Sequence, residues 1–256
     1  MAIAPISRRG LFAALAVRAA GAVLQAAGTP LVRQTLFIAG DSTAADADPD
    51  QAPRTGWGSA LRPLLADRVA IDNLAAEGTS ARSFLAGGGL EEIARHARPG
   101  DALLVQFGHE DARVSRTDRY ADPWGAFSAA LESLVDGALE LGITPVLLTP
   151  IERRRFDMAG NAYVSHGDYP AAVRELARRH EVALIDAHAE SLRLWQQLGV
   201  EGTKEAFVCT DGHVRDTMNL RASGAARIAA IIAERLVEQG IVPGTGCGRL
   251  EPHPQC

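Results

Sequence analysis

The chain has 256 residues, 47% of them hydrophobic and 22% charged, a composition ordinary for a soluble globular protein with a substantial core. A formal net charge of −5 leaves no basic footprint, which argues against nucleic acid as a partner. No uninterrupted apolar run is long enough to span a bilayer.

The N-terminus reads as a targeting segment. Ser7-Arg8-Arg9-Gly10-Leu11-Phe12 is a twin-arginine pattern, and a small, apolar stretch from Leu11 to Ala27 follows, interrupted by Arg18. Ala26, Ala27 and Gly28 supply small residues for cleavage. Residues 1–28 are therefore expected to direct export to the periplasm or beyond, 35–240 to form the folded domain, and 241–256 to be a tail. Cys247 and Cys256 bracket that tail, and a disulfide between them would suit an oxidising compartment. Cys209 is then left as a small packed residue, and no Cys/His spacing suggests a zinc site.

From residue 35 onward, apolar strand-like runs alternate with helical patterns. TLFIAG (35–40) is the first expected strand and VAIDNLA (69–75) the second. DALLVQFG (101–108) and ITPVLLTP (143–150) are short apolar runs suited to strands buried on both faces, and VALID (182–186) is the fifth. Helices are expected near 57–66, 89–97, 124–141, 170–180, 187–198 and 222–239, with Asp122-Pro123 and Asp168-Tyr169-Pro170 as start signals. Such alternation predicts an α/β fold with a parallel sheet between two helical layers. Active sites in open parallel sheets lie beyond the carboxyl ends of the strands. Two long polar loops, 109–123 and 151–169, fall at those ends.

The strand ends carry the unusual residues. The first strand runs into Gly40-Asp41-Ser42-Thr43, a tight turn that can present a serine hydroxyl, which needs a neighbouring base to become a nucleophile. The plain alternative is a turn capped by Asp41 and Ser42. After the second strand comes Glu77-Gly78-Thr79-Ser80, where a glycine lets backbone N–H approach a reacting group. Ser80 could equally be a helix N-cap. The third strand ends in Gln106-Phe107-Gly108-His109-Glu110-Asp111.

Taken in order, these blocks resemble the SGNH (GDSL) hydrolase family, in particular its rhamnogalacturonan acetylesterase-like branch. The resemblance includes Gly56-Trp57-Gly58, TPIERRRFD (149–157), HGDYPAAVRELA (166–177) and LGVEGTKEAF (198–207), and it runs from Thr35 to about Glu238. It implies a flavodoxin-like three-layer sandwich with five parallel strands. It also implies a serine esterase that removes acetyl groups from plant cell-wall polysaccharide, without metal or organic cofactor. By position, Ser42 matches the nucleophile and one oxyanion donor, and Gly78 the second donor. Trp57, Arg82, His109 and the loop with Arg153–Arg155 would shape the substrate groove.

Two positions depart from the family pattern. The family's third oxyanion donor is an asparagine, where this chain has Glu110. In the closing block DTMNLRASGA, the acid is kept at Asp216 but the histidine position is Asn219. An amide cannot take a proton from a serine near neutral pH, and losing a triad member costs about 10⁴–10⁶ in turnover. An ionised Glu110 would put negative charge where negative charge develops; as a donor it would need a pKa well above about 4.3. His213 is a possible substitute base, and His109 and His166 lie near the expected site. Asp211, His213 and Asp216 have no spacing specific to a metal. Two readings result: an esterase, impaired or rewired at the base, or a protein that binds acetylated polysaccharide without cleaving it. A phosphate binder fits poorly, because GDSTAAD is acidic and lacks the necessary glycines.

Overall fold

The structure is a computed structural model that describes residues 33–208 and 216–244. The expected export segment, Cys209, Asp211, His213 and the Cys247–Cys256 pair lie outside the described residues.

Among the described residues, five strands form one all-parallel sheet: β1 (Thr35–Gly40), β2 (Ala70–Asn73), β3 (Ala102–Gln106), β4 (Thr144–Leu148) and β5 (Ala183–Ile185), in the order β2-β1-β3-β4-β5. This is the flavodoxin-like order, in which the chain reverses direction of travel across the sheet between β1 and β3. Loops leaving the carboxyl ends of those two strands diverge there and leave a crevice. Ser42 follows one of these strands and Glu110 the other, so topology brings them to the same crevice.

Among the described residues, seven helices cover the sheet: α1 (Trp57–Leu65), α2 (Ala81–Ala86), α3 (Gly89–His96), α4 (Ser128–Glu140), α5 (Tyr169–His180), α6 (Ala187–Gly202) and α7 (Ala222–Glu238). Alternate residues of each strand feed opposite layers. Leu36 and Ile38 of β1 pack with Trp57, Leu61 and Leu65 of α1, Trp195 of α6 and Ile228, Ile232 and Leu236 of α7. Phe37 and Ala39 face the other way, toward Phe84, Ile93, Leu131, Leu134, Val173 and Leu176 of α2 to α5. Each fully buried large apolar side chain contributes about 1.5–3 kcal/mol.

The expected strands are all present: β1 matches its run, and β2 to β5 are each shorter than theirs. The helix expected from residue 124 instead opens with an irregular turn over Pro123–Phe127, kinked at Gly125, before α4 begins. Helix α6 runs past the expected end through a break at Gly199. Ser80 does start a helix, α2, with a capping box: its Oγ accepts from Ser83 N while Ser83 Oγ accepts from Ser80 N.

Candidate active site

The turn after β1 is organised around Asp41, which is fully buried. Its Oδ1 accepts from Thr43 N (3.0 Å) and Thr43 Oγ1 (2.7 Å), and its Oδ2 accepts from His109 Nδ1 at 3.0 Å. Burial alone would raise the Asp41 pKa, but the charge and hydrogen bond of His109 hold it below the ordinary value. The Gly56-Trp57-Gly58 block now has a physical reason. A Cβ on Gly56 would lie 2.4 Å from Ala45 O, and one on Gly58 2.4 Å from Ala44 O. Only glycine lets the start of α1 press against the serine turn this closely. Trp57 itself is fully buried and donates Nε1–H to Gln106 Oε1 at 2.7 Å. It braces β3 and cannot touch a substrate, which corrects the expectation from sequence.

Ser42 Oγ is buried on the crevice wall and has no hydrogen-bond partner among the described residues. Asn219 lines the same crevice, with its side chain turned to the acid: Nδ2 donates to Asp216 Oδ2 at 2.7 Å. Asp216 Oδ1 accepts from Asn219 N (2.9 Å) and Met218 N (3.1 Å), and Arg54 Nη2 stands 3.3 Å from Oδ2. The closing loop is tied down by Val208 N to Asn219 O and Arg154 N to Thr217 O. The acid and the amide thus share the cleft with Ser42 and Arg54.

Glu110 is 2% exposed, yet it does not stand alone. Its Oε1 accepts from Arg113 Nη1 at 2.7 Å and its Oε2 from Arg119 Nη1 at 2.8 Å. Each carboxylate oxygen of Glu110 thus has its own guanidinium partner. Arg119 lies directly over Gly78: a Cβ built there, where φ is +72°, would meet Arg119 Nη1 at 2.6 Å and Nη2 at 3.1 Å. Glycine at 78 thus serves both the left-handed backbone and the guanidinium stacked on it.

Together these groups line an open cleft of about 860 Å³. Its wall includes Ser42, Gly78, Glu110, Asp216 and Asn219, and six arginines (Arg54, Arg113, Arg116, Arg119, Arg153, Arg155) against three carboxylates. The excess of cations in a chain of negative net charge is the main feature that sequence reasoning missed. A signal was available: Arg113, Arg116 and Arg119 recur every third residue in the polar loop after β3. Arg153 and Arg155 line the cleft as expected, whereas Arg82 does not; its Nη1 donates to Tyr120 O at 3.3 Å on the exposed surface.

Behind the cleft lies a buried polar cluster. His109, 1% exposed, bonds Asp41 through Nδ1 and Ile151 O through Nε2 (3.1 Å), so neither ring nitrogen is free for a sugar or for Ser42. This corrects the expected substrate role of its side chain. His166 stacks edge-on against His109 and donates Nε2–H to the same carbonyl at 2.9 Å. Burial, with His109 and Arg153 adding to it, holds the His166 pKa well below that of a free imidazole, so the ring is neutral. Glu152 gathers the loop after β4, accepting from His188 Nε2 (3.0 Å), Ser165 N (3.0 Å) and Arg153 N (2.7 Å). Asp111 accepts from Ala81 N and Gly108 N, each at 3.0 Å, and burial pushes its pKa up to about 7. None of these histidines hydrogen-bonds Ser42. Among the described residues no group of His, Cys, Asp and Glu is arranged to hold a metal ion, and no helix is long and apolar enough to cross a membrane.

The flavodoxin-like sheet with a cleft at the carboxyl ends of its strands can be compared with known proteins. The sequence profile of the GDSL-like lipase/acylhydrolase family covers residues 38–240. The chain belongs to this family. Among relatives, the rhamnogalacturonan acetylesterase RhgT of Bacillus subtilis (strain 168) is 36% identical over 215 residues, covering 80% of this chain and 90% of that protein. The rhamnogalacturonan acetylesterase of Emericella nidulans is 26% identical over 249 residues, covering 87% of this chain and 93% of that protein. Among solved structures, the YxiM protein of Bacillus subtilis superposes with a TM-score of 0.72 at 27% identity, covering 83% of this chain and 58% of that one. The family region holds every site residue described above.

Proposed function

We propose that the chain is an exported carbohydrate esterase of the rhamnogalacturonan acetylesterase type, whose cleft takes an acetylated, carboxylate-bearing plant polysaccharide. The observation that carries this reading is the arginine-lined cleft around Ser42. Uronate units of a pectin-like chain present carboxylates that guanidinium groups bind through paired N–H donors. Ser42 would attack the acetyl carbonyl, and the N–H groups of Ser42 and Gly78 would hold the oxygen that gains charge. Asn219 can orient with Asp216 but cannot take the serine proton, so turnover is slow unless another group accepts it. His213, three residues before Asp216, is the candidate for that acceptor.

A second reading, a binder that retains substrate without cleaving it, is favoured by one specific observation: the unpartnered Ser42 Oγ. Acetate release from acetylated rhamnogalacturonan separates the two, measured for the wild type, Ser42→Ala and His213→Ala. The esterase reading expects release that Ser42→Ala abolishes. Equal background release in wild type and Ser42→Ala, with oligosaccharide still bound, leaves the binder. A protein that neither cleaves nor binds acetylated acidic oligosaccharide refutes both.

A further inference from the structure

We propose that Arg119, held in place by Glu110, is the third donor of the oxyanion pocket, filling the role left open by the absence of an asparagine at position 110. This rests on the reading of Ser42 and Gly78 given above. The geometry is specific. Arg119 Nη1 is spent on Glu110 Oε2 at 2.8 Å, and Nε faces Asp118 Oδ2 at 3.5 Å. Nη2 has no acceptor among the described residues and lies 3.1 Å from where a Gly78 side chain would begin. Ser42, Gly78 and Arg119 all line the same cleft. A planar guanidinium fixed along one edge by a carboxylate presents its remaining N–H groups in a set direction.

The exchange changes the electrostatics of the pocket as well as its shape. An asparagine offers a neutral dipole, whereas Arg119 offers a full charge partly shared with Glu110, and Arg113 satisfies the other Glu110 oxygen at 2.7 Å. Glu110 thus acts as a positioning residue that aims Arg119. A cationic donor holds any oxygen bearing negative charge, including that of a bound carboxylate, so the pocket takes small carboxylates such as the acetate product in the ground state.

The experiment titrates sodium acetate into the full-length protein, followed by protein NMR, for the wild type, Arg119→Ala, Arg119→Lys and Arg178→Ala. Arg178 pairs with Glu175 on the exposed face of α5 and controls for a general change in charge. Arg119→Ala is expected to weaken acetate at least tenfold, Arg119→Lys to recover part of the loss, and Arg178→Ala to bind as wild type. Wild-type affinity in Arg119→Ala overturns the proposal, and so does a wild type that binds no acetate. Should Arg119→Ala fold poorly, Arg119→Lys keeps a cation at this position and must itself lose affinity, since one ammonium nitrogen cannot pair with Glu110 and reach the pocket as the two terminal guanidinium nitrogens do. If acetate binds through Arg119 while acetylated oligosaccharide is neither bound nor cleaved, the donor stands and the polysaccharide reading falls.

Discussion

Asn219 donates Nδ2–H to Asp216 over 2.7 Å, the bond an imidazole Nδ1–H would make in the same place. On the proposed esterase reading, this is the orienting contact of a triad, and what is missing is a ring nitrogen able to take the Ser42 proton. Replacing Asn219 by histidine should supply it. Asn219→His is expected to raise Ser42-dependent hydrolysis of p-nitrophenyl acetate by about 10²-fold or more, the scale of a positioned general base. A rate that stays at the wild-type level would mean that the ring cannot reach Ser42 in this loop, or that the wild type already draws on another base. Repeating the assay with His213→Ala in both backgrounds decides between those outcomes. If His213 is the present base, its loss matters in the wild type and ceases to matter once residue 219 is histidine.

Asp186 joins three elements at the end of the sheet opposite β2. It caps α6 by accepting from Ala189 N, receives Thr149 Oγ1 at 2.9 Å from the segment after β4, and accepts from Arg174 Nε and Nη2 of α5, each at 2.9 Å. Burial would raise its pKa, but the bonds from Arg174, Thr149 and Ala189 outweigh burial and lower it. A carboxylate whose folded pKa is lowered stabilises the fold above its unfolded pKa of about 3.9, and the effect is lost as pH falls through the folded value. Asp186→Ala should thus cost about 1–2 kcal/mol at pH 7, in the range of a lost N-cap with an exposed ion pair. The gap to wild type should close on acidification below about pH 4. Urea unfolding at pH 7 and pH 3 checks this, and an undiminished gap at pH 3 would mean that the charge is not what holds these elements together. At this scale much was legible in the sequence. The strands announced themselves as apolar runs because both faces of the sheet are buried, and Ser80 marked α2 because its hydroxyl satisfies a helix N-terminus locally. The start of α4 was misjudged because Asp122 and Pro123 do open a helical turn, which then kinks at Gly125. Trp57 and His109 were misassigned because their partners, Gln106 on β3 and Asp41 and Ile151 in the segments after β1 and β4, lie far from them in sequence.

Across the whole molecule, charge is distributed against the average. The chain carries a formal net charge of −5, while the cleft gathers six arginines and three carboxylates. Such a field favours an anionic ligand at the cleft and repels it from much of the remaining surface, which orients encounter as well as binding. Pairing explains why this was hard to read from the sequence. Arg113, Arg116 and Arg119 resemble a solvated stripe until Glu110 is seen to turn two of them inward and Asp216 to hold Arg54. The cleft is open to solvent, so its attraction is screened as the Debye length shrinks from about 10 Å at 0.1 M salt to about 3 Å at 1 M. Binding of an acidic galacturonate-containing oligosaccharide should therefore weaken by about tenfold between those two concentrations, as two or more carboxylates lose their long-range attraction. A neutral acetylated xylo-oligosaccharide, which presents acetyl groups without carboxylates, should bind weakly and change little over the same range. Calorimetric titration of both ligands at both salt concentrations separates recognition of charge from recognition of the acetyl group. Equal salt dependence for the two would show that the arginines serve the loops they brace and do not select the ligand.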